Sequence, residues 1–180
     1  VIITFLTYFS YGAILTIIPD FSDFLGLSTK GLFFTFFTAS SIGIRLLAGK
    51  VSDRYGRVPI LKISALMMAG SMLMLGLAHS STLLLAAGVA YGMSVGLNSP
   101  AVTAWTVDLG KPEHRGRALA SMYIAMEAGI GLGAYFSAFI YNNQSGNFPA
   151  TFYVFAGITL MATLYLIFVY KPQKSARTVL

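Results

Sequence analysis

Glu127 is the only acidic residue that lies well inside an apolar stretch of this sequence, about ten residues beyond Arg117. If that stretch crosses a membrane, the carboxyl group lies near mid-depth. An ionisable side chain there is costly and usually faces a bundle interior or a water-filled cavity. Glu127 is therefore expected either to take up and release a proton or to contact a solute, or it forms a static ion pair with a cation on a helix outside this chain.

Tyrosines and polar side chains recur at helical spacing in the same kind of stretch. At 100° per residue, Tyr123 lies on the same helix face as Glu127. Tyr8 and Tyr11 share a face near the start of the chain. A third face carries Tyr91, Asn98 and Trp105. Polar tips that point into a helix bundle are what a solute pathway requires, so we expect these residues to line one.

The composition of the chain indicates a membrane protein. Of its 180 residues, 56 % are hydrophobic and only 10 % are charged, whereas a soluble domain carries about 25 % charged residues. Runs of about 20 apolar residues, the length of a membrane-spanning helix, recur with almost no charge inside them. The net charge of +6 comes from short segments between these runs. It therefore indicates membrane topology, and we expect no nucleic-acid partner.

No metal, cofactor or catalytic motif stands out in the sequence. The chain contains no cysteine, which excludes disulfides and thiolate ligands. His79 and His114 lie near loop ends without a second ligand at metal spacing. Neither an H-E-x-x-H motif nor a phosphate-binding loop is present. We therefore expect no cofactor and no enzyme, and an ion gradient as the energy source.

The apolar runs predict an all-α fold of six membrane-spanning helices, because lipid offers an open backbone no hydrogen-bond partners. The predicted spans cover about residues 1–19, 31–49, 58–78, 82–107, 117–141 and 150–170. They form one domain, residues 1–171, followed by a cytoplasmic tail, residues 172–180. Because Val1 already stands inside an apolar run with no Met or signal peptide before it, we expect a fragment cut at its front end.

Basic residues lie almost entirely on one side of the predicted bundle. The opposite side has only Lys30, beside Asp20 and Asp23. The basic side holds Lys50, Arg54, Arg57, Lys62, Lys111, Arg115, Arg117, Lys171, Lys174 and Arg177. By the positive-inside rule, both termini and both basic loops are expected in the cytoplasm, at the inner membrane of a bacterium. Arg45 lies one turn before Gly49, where it either snorkels to the headgroups or contacts an anionic solute.

A charged segment, residues 49–57, separates the second and third predicted spans and reads GKVSDRYGR. It resembles the signature loop of the major facilitator superfamily of secondary transporters, roughly G-x-x-x-D-R-x-G-R-x-x-x-L. The matching residues are Gly49, Asp53, Arg54, Gly56, Arg57 and Leu61. The resemblance covers the whole chain and implies one six-helix half of a twelve-helix transporter, with the other half as its partner.

A second basic loop, residues 108–117, reads DLGKPEHRGR. It looks like the acid-x6-R-G loop at the matching place in the superfamily, with Asp108 and Arg115 as the acid and the base. The resemblance implies a conformational latch on the cytoplasmic side, in which Asp53 faces the N-terminus of the fifth helix. The cations Arg54, Arg57, Arg115 and Arg117 would then pair with Asp108, Glu113 or lipid phosphate. The alternative is that these cations only fix the topology and contact headgroups.

Small residues recur at intervals of four on two of the spans. In lipid, such residues on one helix face allow two helices to approach closely, so we expect tight packing along both stripes. One stripe is Gly88, Gly92 and Gly96, and the other is Gly129, Gly133 and Ser137.

Three features favour the C-terminal half of the superfamily fold. The first-half pattern commonly has an Arg early in its fourth span and a Gly-Pro pair in its fifth, whereas this chain has Gly88 and a proline-free run over residues 127–134. The tail is also short and is not a long central loop. The resemblance implies alternating access to a small-solute site near the midplane between two halves. Glu127 makes protons the expected coupling ion, and a non-transporting sensor or scaffold in the bilayer is the alternative.

Overall fold

The structure, a computed structural model, describes residues 1–27, 29 and 31–169. Six helices in this part of the chain are long and apolar enough to cross a bilayer, which confirms the all-α prediction. They are α1 (Ile2–Phe24), α2 (Gly31–Tyr55), α3 (Arg57–Gly76), α4 (Ser81–Leu109), α5 (Arg115–Tyr141) and α6 (Phe148–Leu164). α6 continues as a π-helical turn, Tyr165–Val169, and short 3-10 turns, Pro112–His114 and Ser145–Asn147, precede α5 and α6. Lys30 and the predicted tail, residues 172–180, lie outside the described residues.

The signature segment is helical over most of its length. α2 runs past Gly49, where we ended the second span, and continues to Tyr55. The chain then turns at a single residue, Gly56, whose φ of 91° is accessible to glycine at little cost. α3 begins at the next residue, Arg57. The segment therefore places Asp53, Arg54 and Arg57 on two consecutive helix ends.

The helices pack side by side in the order α5, α1, α6, α3, α4, α2, with the most extensive contacts between α1 and α5 and between α2 and α4. One core cluster of buried residues is rich in aromatic side chains, including Phe21, Phe33 and Phe152. A second cluster lies nearer the charged segments and includes Leu61 and Val102. The two helices at the ends of the row, α2 and α5, have only 22 % of their most apolar windows buried, so each keeps a broad open face.

Close approach of helix backbones explains the two stripes of small residues, and the predicted packing is confirmed. A methyl group at Gly92 of α4 would overlap the carbonyl oxygen of Phe37 in α2. A methyl group at Gly133 of α5 would overlap the carbonyl oxygen of Phe9 in α1. In contrast, no atom lies within 4 Å of the corresponding position at Gly131. The stripes are thus contact surfaces, whereas the position of Gly131 on α5 is open.

Candidate functional site

Glu127 lies near the middle of α5, and its side chain is exposed on the surface of the six-helix unit. Since α5 runs from Arg115 to Tyr141, a rise of ~1.5 Å per residue places Glu127 about 18 Å from one end and about 21 Å from the other. The small residues of α5 that contact α1 lie on a different face of the helix. The carboxyl group is therefore exposed on the surface of this unit, near the middle of a helix that is long and apolar enough to cross a bilayer.

Four helices bring polar side chains together on the side of the unit where Tyr8 lies. Ser99 of α4 lies beside the Tyr8 side chain, and Arg45 of α2 and Tyr123 of α5 are near enough to interact with it electrostatically. Tyr123 is 50 % exposed. Glu127 follows Tyr123 by four residues, about 40° farther round the helix and one turn away. We call this set, Tyr8, Arg45, Ser99, Tyr123 and Glu127, the polar face.

A row of aromatic rings leads from the polar face into the core. The rings of Tyr8 and Tyr11 meet edge to face with centroids 6.2 Å apart. Tyr11 is followed by Phe37 at 6.0 Å, and Phe37 by Tyr91 at 6.0 Å. Aromatic pairs at these distances attract each other beyond the effect of burial alone. The predicted pathway residues Tyr8, Tyr11 and Tyr123 are therefore brought together near the open side of this row.

Tyr91 and Asn98 differ from the prediction because both are buried inside the unit, with 0 % and 1 % of their surfaces exposed. The Tyr91 hydroxyl lies 2.9 Å from the Ser10 hydroxyl of α1. Asn98 donates from Nδ2 to Thr7 at 3.3 Å and accepts at Oδ1 from Ser64 of α3 at 3.2 Å. Their polar atoms have partners within the core, where they join α1, α3 and α4. In this conformation they do not line an open surface.

Trp105 lies on the same helix, half-buried, and packs against the core cluster near the charged segments. It is two helical turns beyond Asn98 and faces a different layer of the core. The three aligned residues of α4 therefore do not form one surface. The polar groups of Tyr91 and Asn98 turn toward α1 and α3.

Arg57 is the centre of the charge cluster at the ends of α2, α3 and α4. Its Nε donates to Oδ2 of Asp108 at 3.2 Å, and its Nη1 donates to the hydroxyl of Ser52 at 3.1 Å. Nη1 also forms an ion pair with Asp53. The guanidinium side chain is 27 % exposed, whereas Asp53 and Asp108 are 68 % and 56 % exposed. One cation thus joins the signature segment to the second predicted loop.

Asp53 pairs with Arg57, and among the described residues no hydrogen bond joins it to the start of α5. No side-chain hydrogen bond caps the N-terminus of α5, where His114 stands at the capping position. A nitrogen of Arg117 lies 2.9 Å from Nδ1 of His114, which keeps this contact within one segment. Arg54 extends over the ring of the adjacent Tyr55, with its guanidinium carbon 5.6 Å from the ring centroid.

Three other latch candidates are exposed residues outside the ion-paired cluster. Glu113 is exposed in the turn before α5, and Arg115, the first residue of α5, is exposed as well. Gly49 is an exposed residue of α2, and a methyl group there would meet nothing within 4 Å. Of the predicted set, Asp53, Arg57 and Asp108 are the residues that the structure brings into one ion-paired cluster.

Two serines that contribute to these sites were not among the predicted residues. Ser52 contacts Arg57, and Ser99 contacts Tyr8. Neither residue carries a charge or an aromatic ring, so neither stood out in a sequence rich in small residues. No group of three or more His, Cys, Asp or Glu side chains lies together in the described part of the chain.

The chain is similar to known proteins over nearly its whole length. A family model described as Major Facilitator Superfamily matches residues 1–179. Multidrug resistance protein 2 of Bacillus subtilis is 25 % identical over 173 residues, which are 95 % of this chain and 42 % of that protein. The quinolone resistance protein NorA of Staphylococcus aureus is 25 % identical over 174 residues, which are 95 % of this chain and 44 % of that protein.

The fold is also similar to that of a solved structure. The crystal structure of the human organic anion transporter MFSD10 (TETRAN) matches 92 % of this chain and 45 % of that chain, with a TM-score of 0.72 and 22 % sequence identity. The chain spans less than half the length of each of these proteins.

Proposed function

Because the chain belongs to the major facilitator superfamily, we propose that it forms one six-helix half of a transporter for a small organic solute. The transporter works by alternating access, in which two halves rock about a site near the midplane. A proton gradient drives the movement, in symport or antiport. The missing half supplies the second wall of the solute site and covers the open faces of α2 and α5.

The position of Glu127 is the single observation that carries this proposal. A carboxylate at the centre of a spanning helix costs a few kcal/mol when it faces lipid. Glu127 nevertheless projects from the surface of the unit, where it makes no ion pair with another described residue. The cost is avoided if this surface faces a water-filled cavity shared with the other half. In such a cavity, the carboxyl group can take up a proton on one side of the membrane and release it on the other.

The polar face supports an organic solute as the cargo. Tyr8, Tyr11 and Tyr123 provide aromatic rings with hydroxyl groups, Arg45 interacts electrostatically with Tyr8, and Glu127 lies one helical turn from Tyr123. Such rings pack against aromatic or amphipathic molecules, and the charged groups select among them. The relatives whose names refer to drug or quinolone resistance and to organic anion transport are consistent with this class of cargo.

The Arg57 cluster supports a latch that biases the alternation between two states. Its ion pair with Asp108 joins the end of α4 to the start of α3, while Asp53 and Ser52 orient the guanidinium group. Gly49, Arg54, Gly56, Glu113, Arg115 and Arg117 surround this cluster on the same end of the unit. We assign that end to the cytoplasm because of its excess of Lys and Arg. Both termini would then be cytoplasmic, in the inner membrane of a bacterium.

Residues 1–180 fit the C-terminal half best, since the sequence lacks the Arg and the Gly-Pro pair commonly found in the first half. A sensor or scaffold on the same fold is the second candidate. It would keep the latch and the packing stripes but would have no need for a mid-depth carboxyl group that faces away from its own core.

A transport assay on the intact protein tests the proposal. The protein is reconstituted in liposomes that enclose a naphthalene sulfonate or a naphthyl trimethylammonium probe, and a pH gradient is imposed. A transporter moves at least one probe against its concentration gradient, and a protonophore abolishes that movement. If neither probe moves faster than in empty liposomes, the sensor or scaffold candidate is supported and the proposal fails.

A further inference from the structure

A groove of about 420 Å³ runs beside Arg45 between α2 and α4. Its walls are Arg45, Ser99, Pro100, Thr103 and Ala104. The groove adjoins the polar face, because Arg45 and Ser99 both interact with Tyr8. It is thus a side compartment of the proposed solute site, and its one charged group is cationic.

The hydrogen-bonding groups of this groove are suited to an anion. Arg45 carries five N–H donors in a fixed planar arrangement, which matches the oxygens of a carboxylate, sulfonate or phosphate. The hydroxyls of Tyr8 and Ser99 lie next to each other and add donors. Thr103 contributes little to anion binding, because its hydroxyl already donates a hydrogen bond of 2.9 Å to the backbone oxygen of Ser99. Pro100 has no N–H group of its own to offer.

Arg45 is not neutralised within the described part of the chain. The ion pairs found there are those of Arg57 with Asp53 and Asp108, at the end of the unit. Arg45 lies four residues before Gly49, the last residue of the apolar part of α2, and so about 6 Å inside it. An unpaired guanidinium group at such a position is costly unless an anion or water meets it.

We propose that Arg45, with the hydroxyls of Tyr8 and Ser99, binds the anionic group of the transported solute, so that the cargo is an aromatic organic acid. This inference rests on the proposed transport function and specifies its substrate class. The rings of Tyr11 and Tyr123 contact the aromatic part of the solute, and Glu127 remains free for the proton. A lipid phosphate has the same chemistry, but Tyr8 places the groove on the polar face, where a solute in the central cavity reaches it.

Binding of three matched probes to the intact protein tests the assignment. The probes are a naphthalene sulfonate, the neutral sulfonamide and a naphthyl trimethylammonium cation. Dissociation constants are measured by calorimetry in phosphatidylcholine nanodiscs, with empty nanodiscs subtracted. The wild type is expected to bind the sulfonate at least about tenfold more tightly than the sulfonamide, the difference that one charge-assisted contact provides.

Substitutions test which residues cause the preference for the sulfonate over the sulfonamide. Arg45→Gln abolishes the tenfold preference without weakening sulfonamide binding, Arg45→Lys retains part of it, and Tyr8→Phe reduces it about threefold. Lys111→Gln removes a charge from an exposed position outside the groove and leaves all three constants unchanged. The assignment is overturned if the wild type does not bind the sulfonate or does not prefer it, or if the preference survives in Arg45→Gln.

Two further readouts separate the possible sources of failure. If Arg45→Gln loses co-purified phosphatidylglycerol while probe binding is unchanged, Arg45 binds a lipid phosphate and the assignment is wrong. If the sulfonate binds through Arg45 but no probe is transported, the anion site stands and the transport function fails. If only the cationic probe is transported, transport stands and the organic-acid assignment fails.

Discussion

The guanidinium group of Arg57 lies 3.2 Å from the carboxylate of Asp108, although 51 residues separate them along the chain. The pair joins the start of α3 to the end of α4. Both partners are partly exposed, so the pair contributes at most about 1 kcal/mol in water. Such a small free energy is compatible with the proposed latch, in which this contact would break and form again in each transport cycle.

The first prediction concerns this ion pair. Arg57→Gln should increase the fraction of time for which the basic end is open, by up to about fivefold, the ratio that corresponds to about 1 kcal/mol. The measurement is the rate of maleimide labelling of Ala104→Cys, in a background where no other cysteine is accessible. Lys111→Gln serves as the charge-matched control. An unchanged rate in Arg57→Gln, or an equal change in the control, would show that the pair is no latch.

The second prediction contrasts two neighbouring residues of α4. Asn98→Ala removes two buried hydrogen bonds, to Thr7 and Ser64, and should lower the stability by about 0.6 to 1.7 kcal/mol, the average and the largest value for one such contact in a membrane. Ser99 faces the groove beside Arg45. Ser99→Ala should therefore weaken sulfonate binding while leaving the stability nearly unchanged. Thermal unfolding in detergent and probe calorimetry measure the two effects. If Asn98→Ala weakens sulfonate binding without lowering the stability, Asn98 lines the solute pathway and the prediction is wrong.

The third prediction concerns the contact between α1 and α5. Gly133→Ala should destabilise the protein by about 1 to 3 kcal/mol, because the added methyl group overlaps the backbone of Phe9 and forces the helices apart. Gly131→Ala lies two residues away in open space and should be neutral or slightly stabilising. Thermal unfolding of both variants decides the matter. Equal midpoints would mean that the two helices are not in close contact.

Much of the fold could be predicted from the sequence because the bilayer restricts the choices. Apolar runs of spanning length allow only helices, and small residues spaced four apart permit close packing of two helices. The end of α2 was harder to predict, since charge suggests a loop. Residues 50–55 nevertheless continue the helix, because nothing before Gly56 breaks it.

The candidate site was predictable only in part. Periodicity aligned Tyr91 with Asn98 on α4, but periodicity alone does not tell which neighbour a polar face meets. Here that face meets α1 and α3, so its hydroxyl and amide groups serve the core. The pairing of Asp53 with Arg57 did have a signal in the sequence, a spacing of four residues. The resemblance implied Asp108 as one possible partner of Arg57, but which cation it meets depends on the packing of α3 on α4, which no local pattern reveals.

Proton coupling through Glu127 is the central claim, and pH-driven accumulation by Glu127→Gln tests it most directly. The intact protein is reconstituted in liposomes, and accumulation of the naphthalene sulfonate probe or its cationic counterpart is followed under an imposed pH gradient. We expect Glu127→Gln to lower accumulation at least about tenfold, while probe exchange without a gradient continues. Asp20→Asn, which removes an exposed carboxylate near the opposite end of α1, should accumulate like the wild type. Undiminished accumulation by Glu127→Gln would contradict the account.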